Sequence, residues 1–229
     1  MPPVAEPRGY AAEAAVTQLR SGGVSSAGVS HAVLRIADPR PGLRWLDIGC
    51  GTGALLRAVR DTQQPASLQA VDVHPWLDTD LRDDVDLHVG PAEQALAEVS
   101  TADRVTLVEV LEHLEAPWTT LRRAAGLVAP GGVLVLSAPN IASLRSRMEL
   151  PLRGRLTAFR PDHPPHLTPI LSHVCRQVLE DCGLVVGAVE YAQSDVIPLM
   201  GGRPWPVGVA SRAPGLLCNS MVVSGRRWH

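Results

Sequence analysis

The chain has 229 residues, 45% hydrophobic and 19% charged, which at roughly 100–200 residues per domain is one enzyme-sized domain with enough apolar surface to offset its ordering entropy. Disorder, a collagen repeat and a coiled coil are excluded on composition. All 21 basic residues are arginine, against 23 acids, for a formal net charge of −2; this excludes a global basic field for nucleic acid and any chemistry that needs a lysine amine, such as a Schiff base or a P-loop.

Cys50, Cys175, Cys182 and Cys218 show no CxxC spacing and are expected to be reduced thiols, which fits a cytoplasmic protein. The acidic, weakly apolar N-terminus and the lack of an apolar run near 20 residues predict neither a signal peptide nor a membrane span. Residues 1–42 are expected to form an N-terminal helical extension, either a lid or a packed flank. Two short helices, Tyr10–Arg20 and Val29–Ile36, flank the Ser/Gly-rich stretch 21–28.

From Leu43 apolar runs alternate with amphipathic stretches, the pattern of βαβ units. Strands are predicted at 43–48, 67–73, 85–90, 104–110, 131–137, 184–191 and 216–224, and helices at 54–61, 92–99, 117–128 and 169–182. Pro117 opens the third helix and Pro130-Gly131-Gly132 is expected to close it. The result is an α/β fold, a doubly wound seven-stranded sheet with helices on both faces, filling residues 43–229. An insert at 139–168 breaks the rhythm, with five arginines and one acid, Glu149, between 145 and 160. It reads either as a solvated face or as a substrate-facing element for an anion.

The first strand runs into Asp47-Ile48-Gly49-Cys50-Gly51-Thr52-Gly53 and then a helix, the context in which glycines admit a ligand close to the backbone. A dinucleotide turn would read GxGxxG. Here only one residue separates Gly51 from Gly53, and the leading carboxylate of Asp47 suits a cationic amino-acid end better than a pyrophosphate. Asp72 closes the second strand, where an acid accepts from both ribose hydroxyls. Glu109, Glu112 and His113 follow the fourth strand at i, i+3 and i+4, so a helical turn would gather them on one face. Two carboxylates and an imidazole suit Mg²⁺ or Mn²⁺, with a further ligand from His166 or, in its place, His163. The plainer reading is that Glu112 and His113 cap a helix and that the two later histidines are exposed.

The segments WLDIGCGTG, AVDVHP, VTLVEVLEHLEAP and APGGVLVLSAPN resemble the class I S-adenosylmethionine-dependent methyltransferases over about residues 43–224. The resemblance implies a sheet whose last strand is antiparallel. It implies a cofactor set of Asp47, Gly49, Cys50, Gly51, Gly53, Asp72, Val73 and Glu109, with Gly90, Pro91 and Ala92 near the adenine. The family often carries an acid at Pro91 or Ala92, which this chain lacks. EVLEHL is similar to the ubiquinone-biosynthesis-type O-methyltransferases and to the small-RNA 3′-terminal 2′-O-methyltransferases; the latter implies metal ligands at Glu109, Glu112, His113 and His166. The aromatic residues that follow that histidine in the RNA enzymes are missing here.

The expected function is therefore O-methylation of a small molecule, with His113 or Glu109 taking the hydroxyl proton. The alternatives are metal-dependent 2′-O-methylation of an RNA end and, without catalysis, a cofactor-binding regulatory or partner subunit. The sequence is silent on oligomeric state and on the acceptor's identity.

Overall fold

The structure is a computed structural model that describes residues 25–160, 166–198, 200 and 202–228. The expected helix Tyr10–Arg20 and His163 lie outside these residues. In chain order the described elements are α1 (Ala27–Ala37), β1 (Arg44–Ile48), α2 (Ala54–Gln63), β2 (Ser67–Asp72), β3 (Val85–Val89), α3 (Ala92–Ala95), β4 (Ala102–Val108), α4 (Pro117–Gly126), β5 (Val128–Pro139), α5 (Leu144–Arg153), α6 (Ser172–Asp181), β6 (Leu184–Val186), β7 (Glu190–Ser194), α7 (Val207–Ala210), α8 (Pro214–Leu217) and β8 (Cys218–Arg227).

The sheet runs β3-β2-β1-β4-β5-β8-β6, with β7 also paired to β8. All neighbours from β3 to β5 are parallel, and β8 is antiparallel to β5, β6 and β7. Strand order reverses between β1 and β4, and the crevice at their carboxyl ends is where such sheets take ligands.

Alternation along the strands sorts the core into two layers, because successive side chains point to opposite faces. Leu46, Ile48, Val105, Leu107, Leu134 and Leu136 pack with Leu121 and Ala124 of α4 and Val178 and Leu179 of α6. On the other face, Trp45, Leu68, Ala70, Val133 and Val135 pack with Val29 and Val33 of α1 and Leu55, Leu56 and Val59 of α2. Ser26 caps α1 through its hydroxyl, 3.4 Å from the Val29 amide. The buried Arg104 of β4 reaches the far end of that helix, donating to the Ala37 carbonyl and, at 3.1 Å, to that of Asp38.

Three expectations are corrected. The single strand expected at 184–191 is two, β6 and β7, on the same side of β8: Val186 pairs with Gly225 and Glu190 with Val222, so residues 187–189 face only 223–224. The extra residue is a bulge, and the sheet has eight strands in seven positions. Second, Pro130-Gly131-Gly132 lies inside β5 rather than closing a helix. There the register jumps, Ala102 pairing with Val128 and Arg104 with Val133. A Cβ on Gly132 would sit 2.8 Å from the Ala129 carbonyl oxygen, so only glycine lets the strand fold over itself. Third, the helix expected at 92–99 is regular only over Ala92–Ala95. Leu96 and Val99 are nevertheless buried in the core. Among the described residues no helix is long and apolar enough to cross a membrane.

Candidate active site

The turn after β1 is built by glycines that no other residue replaces easily. Gly49, Gly51 and Gly53 all have positive φ, at 74°, 54° and 85°. A Cβ on Gly49 would meet Val110 Cγ2 at 2.4 Å, and one on Gly53 would meet Leu81 Cδ1 at 2.5 Å. The loop is pinned to β2: the Gly49 and Cys50 amides donate to the Val71 carbonyl at 2.7 and 3.3 Å. Asp72 faces this loop, accepting from the Gly51 amide at 2.8 Å and the His74 amide at 3.2 Å. Burial pushes its pKa up, and these amides pull it back. A carboxylate oriented by backbone amides beside a glycine turn packed tightly onto its neighbours fits a nucleoside with vicinal hydroxyls.

The Gly90 amide donates to the Asp72 carbonyl at 2.9 Å, so Gly90, Pro91 and Ala92 border the same cradle, with Pro91 leading into α3. Val73 follows Asp72 at the rim. The cradle's thiol is not a nucleophile: Cys50 is buried, and burial raises its pKa.

Asp47 is placed differently from the expectation that it offers charge to the ligand. It is 3% exposed and accepts from the Thr106 hydroxyl at 2.7 Å, which in turn accepts from Trp45 Nε1 at 3.0 Å. Burial pushes its pKa up to about 7, against the Thr106 hydrogen bond. Asp47 therefore braces the strand beneath the loop. Thr106, which sequence reasoning passed over, is its register partner across β1 and β4, and the parallel pairing was the signal that pointed to it.

On the β4 side, Glu109 does not share a helical face with Glu112 and His113, because its φ of 56° turns the chain before the short 3₁₀ turn Leu111–His113. A non-glycine residue held there costs about 1 kcal/mol or more. Glu109 is fixed by Ser137, another residue sequence reasoning missed, whose hydroxyl donates to Oε1 at 3.2 Å while its Oγ accepts from the Glu109 amide at 3.1 Å. Burial lifts the Glu109 carboxyl to about 7 despite that bond.

Glu112 is fully buried and neither carboxylate oxygen has a hydrogen-bond partner. Burial first, and then the nearby Glu109, raise its pKa well above the ordinary carboxylate range. His113 and His166 meet it: one ligand atom from each of the three lies within 4.8 Å of the others. The two rings are 4.7 Å apart. His166 arrives from the insert because the Leu167 and Thr168 amides donate to the Glu112 carbonyl at 2.7 and 3.1 Å, and the Thr168 hydroxyl donates to Leu114. Its Nδ1 lies 2.7 Å from the Ala158 carbonyl, and Phe159 stands edge-on to its ring at 5.4 Å. Of the four expected metal ligands, the structure gathers Glu112, His113 and His166 and leaves Glu109 on Ser137. A buried carboxylate with open lone pairs beside two imidazoles has the donor set of a divalent-cation site.

The two halves touch. Val110, the residue after Glu109, packs under Gly49, so the glycine turn touches the segment that carries Glu109, Glu112 and His113.

Comparisons with known proteins agree with this architecture. The model of a family described as a methyltransferase domain matches residues 25–188. A ubiquinone biosynthesis O-methyltransferase of Xanthomonas campestris pv. campestris (strain B100) is 37% identical over 108 residues, 44% of this chain and 44% of the relative's length. The match thus spans less than half of that relative. Among solved structures, a SAM-dependent methyltransferase from Archaeoglobus fulgidus superposes with a TM-score of 0.62 at 18% identity, covering 87% of this chain and 93% of that one. The N-methyltransferase NodS from Bradyrhizobium japonicum WM9, in complex with S-adenosyl-L-homocysteine, gives 0.57 at 16% identity, covering 86% and 85%. At these identities the likeness to solved structures is one of fold.

Proposed function

Since the chain belongs to the class I S-adenosylmethionine-dependent methyltransferases, we propose that it methylates a hydroxyl oxygen of a small molecule. The observation that carries this reading is the contact of the glycine turn with Val110, which joins that turn to the segment bearing Glu109, Glu112 and His113. The similarity to a ubiquinone biosynthesis O-methyltransferase supports oxygen as the acceptor atom, over the part of the chain that the match covers. The RNA-end reading has no observation beyond the same cluster in its favour.

S-adenosylmethionine supplies an electrophilic methyl group on a sulfonium, and the chain's task is alignment and proton removal. Asp72 would hold the ribose, with Gly90, Pro91 and Ala92 flanking the base. An acceptor hydroxyl that takes the methyl group must lose its proton. Glu109, whose carboxyl is lifted to about 7, would receive it, or His113 would where no metal occupies that imidazole. Glu112, His113 and His166 would hold Mg²⁺ or Mn²⁺, which when bound lowers the pKa of a hydroxyl near it.

Calorimetric titration of the chelator-treated chain with S-adenosylmethionine, then with Mn²⁺, tests both parts. Stoichiometric cofactor uptake is expected, followed by metal uptake that Glu112→Gln reduces by roughly tenfold or more without changing cofactor affinity. Cofactor uptake with no metal uptake would leave His113 and Glu109 as a metal-free base pair. No cofactor uptake would sink the reading.

A further inference from the structure

We propose that the segment following α5 is an anion-binding site for a carboxylate or phosphate group, with Arg155, Thr157 and Arg160 as its donors. The inference rests on the methyltransferase reading, which makes the bound anion part of the acceptor. Three polar atoms in this six-residue stretch, Arg155 Nε, Thr157 Oγ1 and Arg160 Nε, are buried and have no hydrogen-bond partner. A solvated arginine face keeps such donors in water. Buried donors are normally paired, because an unmade hydrogen bond there costs the full desolvation of the group.

The charge balance points the same way. Glu149, 9% exposed, turns Oε1 toward Arg145 at 3.1 Å, Arg160 at 3.5 Å and Arg153 at 3.7 Å, while its Oε2 makes no hydrogen bond. Arg145 also reaches the buried Asp195 at 3.7 Å. Among the described residues three guanidinium groups, Arg145, Arg153 and Arg160, thus share two carboxylates, and Arg155 beside them adds a fourth positive charge. One carboxylate orders the arginines without neutralising them, and Arg155 has no ion pair among the described residues.

The location gives the excess charge a use. Ala158 and Phe159 lie between the proposed donors, and they are the residues that pack on His166. An anionic group held by Arg155 and Arg160 would therefore lie beside the two residues that contact His166 of the Glu112, His113 and His166 cluster. Guanidinium forks match carboxylate and phosphate oxygens in pairs, which fixes orientation as well as affinity. The chemical class is a small hydroxylated anion.

The test is isothermal titration of the full chain, saturated with S-adenosylmethionine, against inorganic phosphate and, separately, benzoate. One anion per chain is expected to bind saturably, weakened roughly tenfold or more by Arg155→Gln and by Arg160→Gln, and unchanged by Arg122→Gln on the exposed surface of α4. Tighter phosphate or tighter benzoate assigns the group. Arg155→Gln breaks no ion pair among the described residues, so it remains informative if Arg160→Gln melts early. Absence of saturable binding of either anion, or affinity unchanged in both variants, overturns the proposal. Failure of the methyltransferase reading shows separately, as loss of S-adenosylmethionine uptake, and anion titration of the cofactor-free chain then still reports on the arginines.

Discussion

The two halves of the crevice treat their carboxylates in opposite ways. On the β1–β2 side Asp47 and Asp72 are each met by protein donors, the Thr106 hydroxyl and the Gly51 and His74 amides. On the β4 side Glu109 has one hydroxyl, and Glu112 has neither oxygen paired. The first half has its carboxylates met by donors of the fold itself, and it is the half proposed to take the cofactor. The second keeps acceptor capacity in reserve at a buried position, an arrangement that costs stability and suits the handling of a proton or a cation.

The largest test of this contrast is pH. The folded-state pKa of Asp47 is raised to about 7, above the ordinary value near 4, so the folded chain binds its proton more tightly than the unfolded chain does. Its contribution to stability is therefore present at low pH and is lost as pH rises between about 4 and about 7, by something on the order of 4 kcal/mol. Urea unfolding at pH 4 and pH 8 should show Asp47→Asn removing this share of the slope; an unchanged slope would mean that Asp47 is solvated. Next in size, Asp72→Ala deletes the ribose acceptor and releases the Gly51 and His74 amides. A loss of about 3 kcal/mol, roughly hundredfold in S-adenosylmethionine affinity, is expected by calorimetry. Unaltered affinity would move the cofactor elsewhere. Smallest is Gly49→Ala, whose Cβ must displace Val110 and tolerate positive φ, at about 2 kcal/mol of stability. Because Val110 adjoins Glu109, this substitution at the cofactor turn should also slow methyl transfer; a slower cofactor step alone would show that the halves act independently.

Much of this was legible in the chain. The glycine turn and Asp72 are local, set by strand–turn–helix sequence within a few dozen residues, and the alternation of apolar runs with amphipathic stretches marked the α/β sheet. The break at residues 187–189 was not legible, since the apolar run Leu184–Val189 reads as one strand until its pairing with β8 reveals the extra residue. Nor was the position of Glu109: spacing put it on a helix, and only the backbone angle, fixed by Ser137 from the neighbouring strand, takes it off. His166 reaches His113 through hydrogen bonds to Glu112 from more than 50 residues away in sequence. Thr106 and Ser137 were missed because their partners lie across strand pairings that no local pattern encodes.

The bulge at residues 187–189 also breaks the edge of the sheet on the side of β8 away from β5. A sheet edge offers unpaired backbone donors and acceptors that a second chain can zip onto, and polymerisation follows when that row is long and straight. Here the row is cut into three residues of β6 and five of β7, set out of step by one residue. A strand in register with one piece is out of register with the other, so edge-to-edge stacking is interrupted at its first attempt.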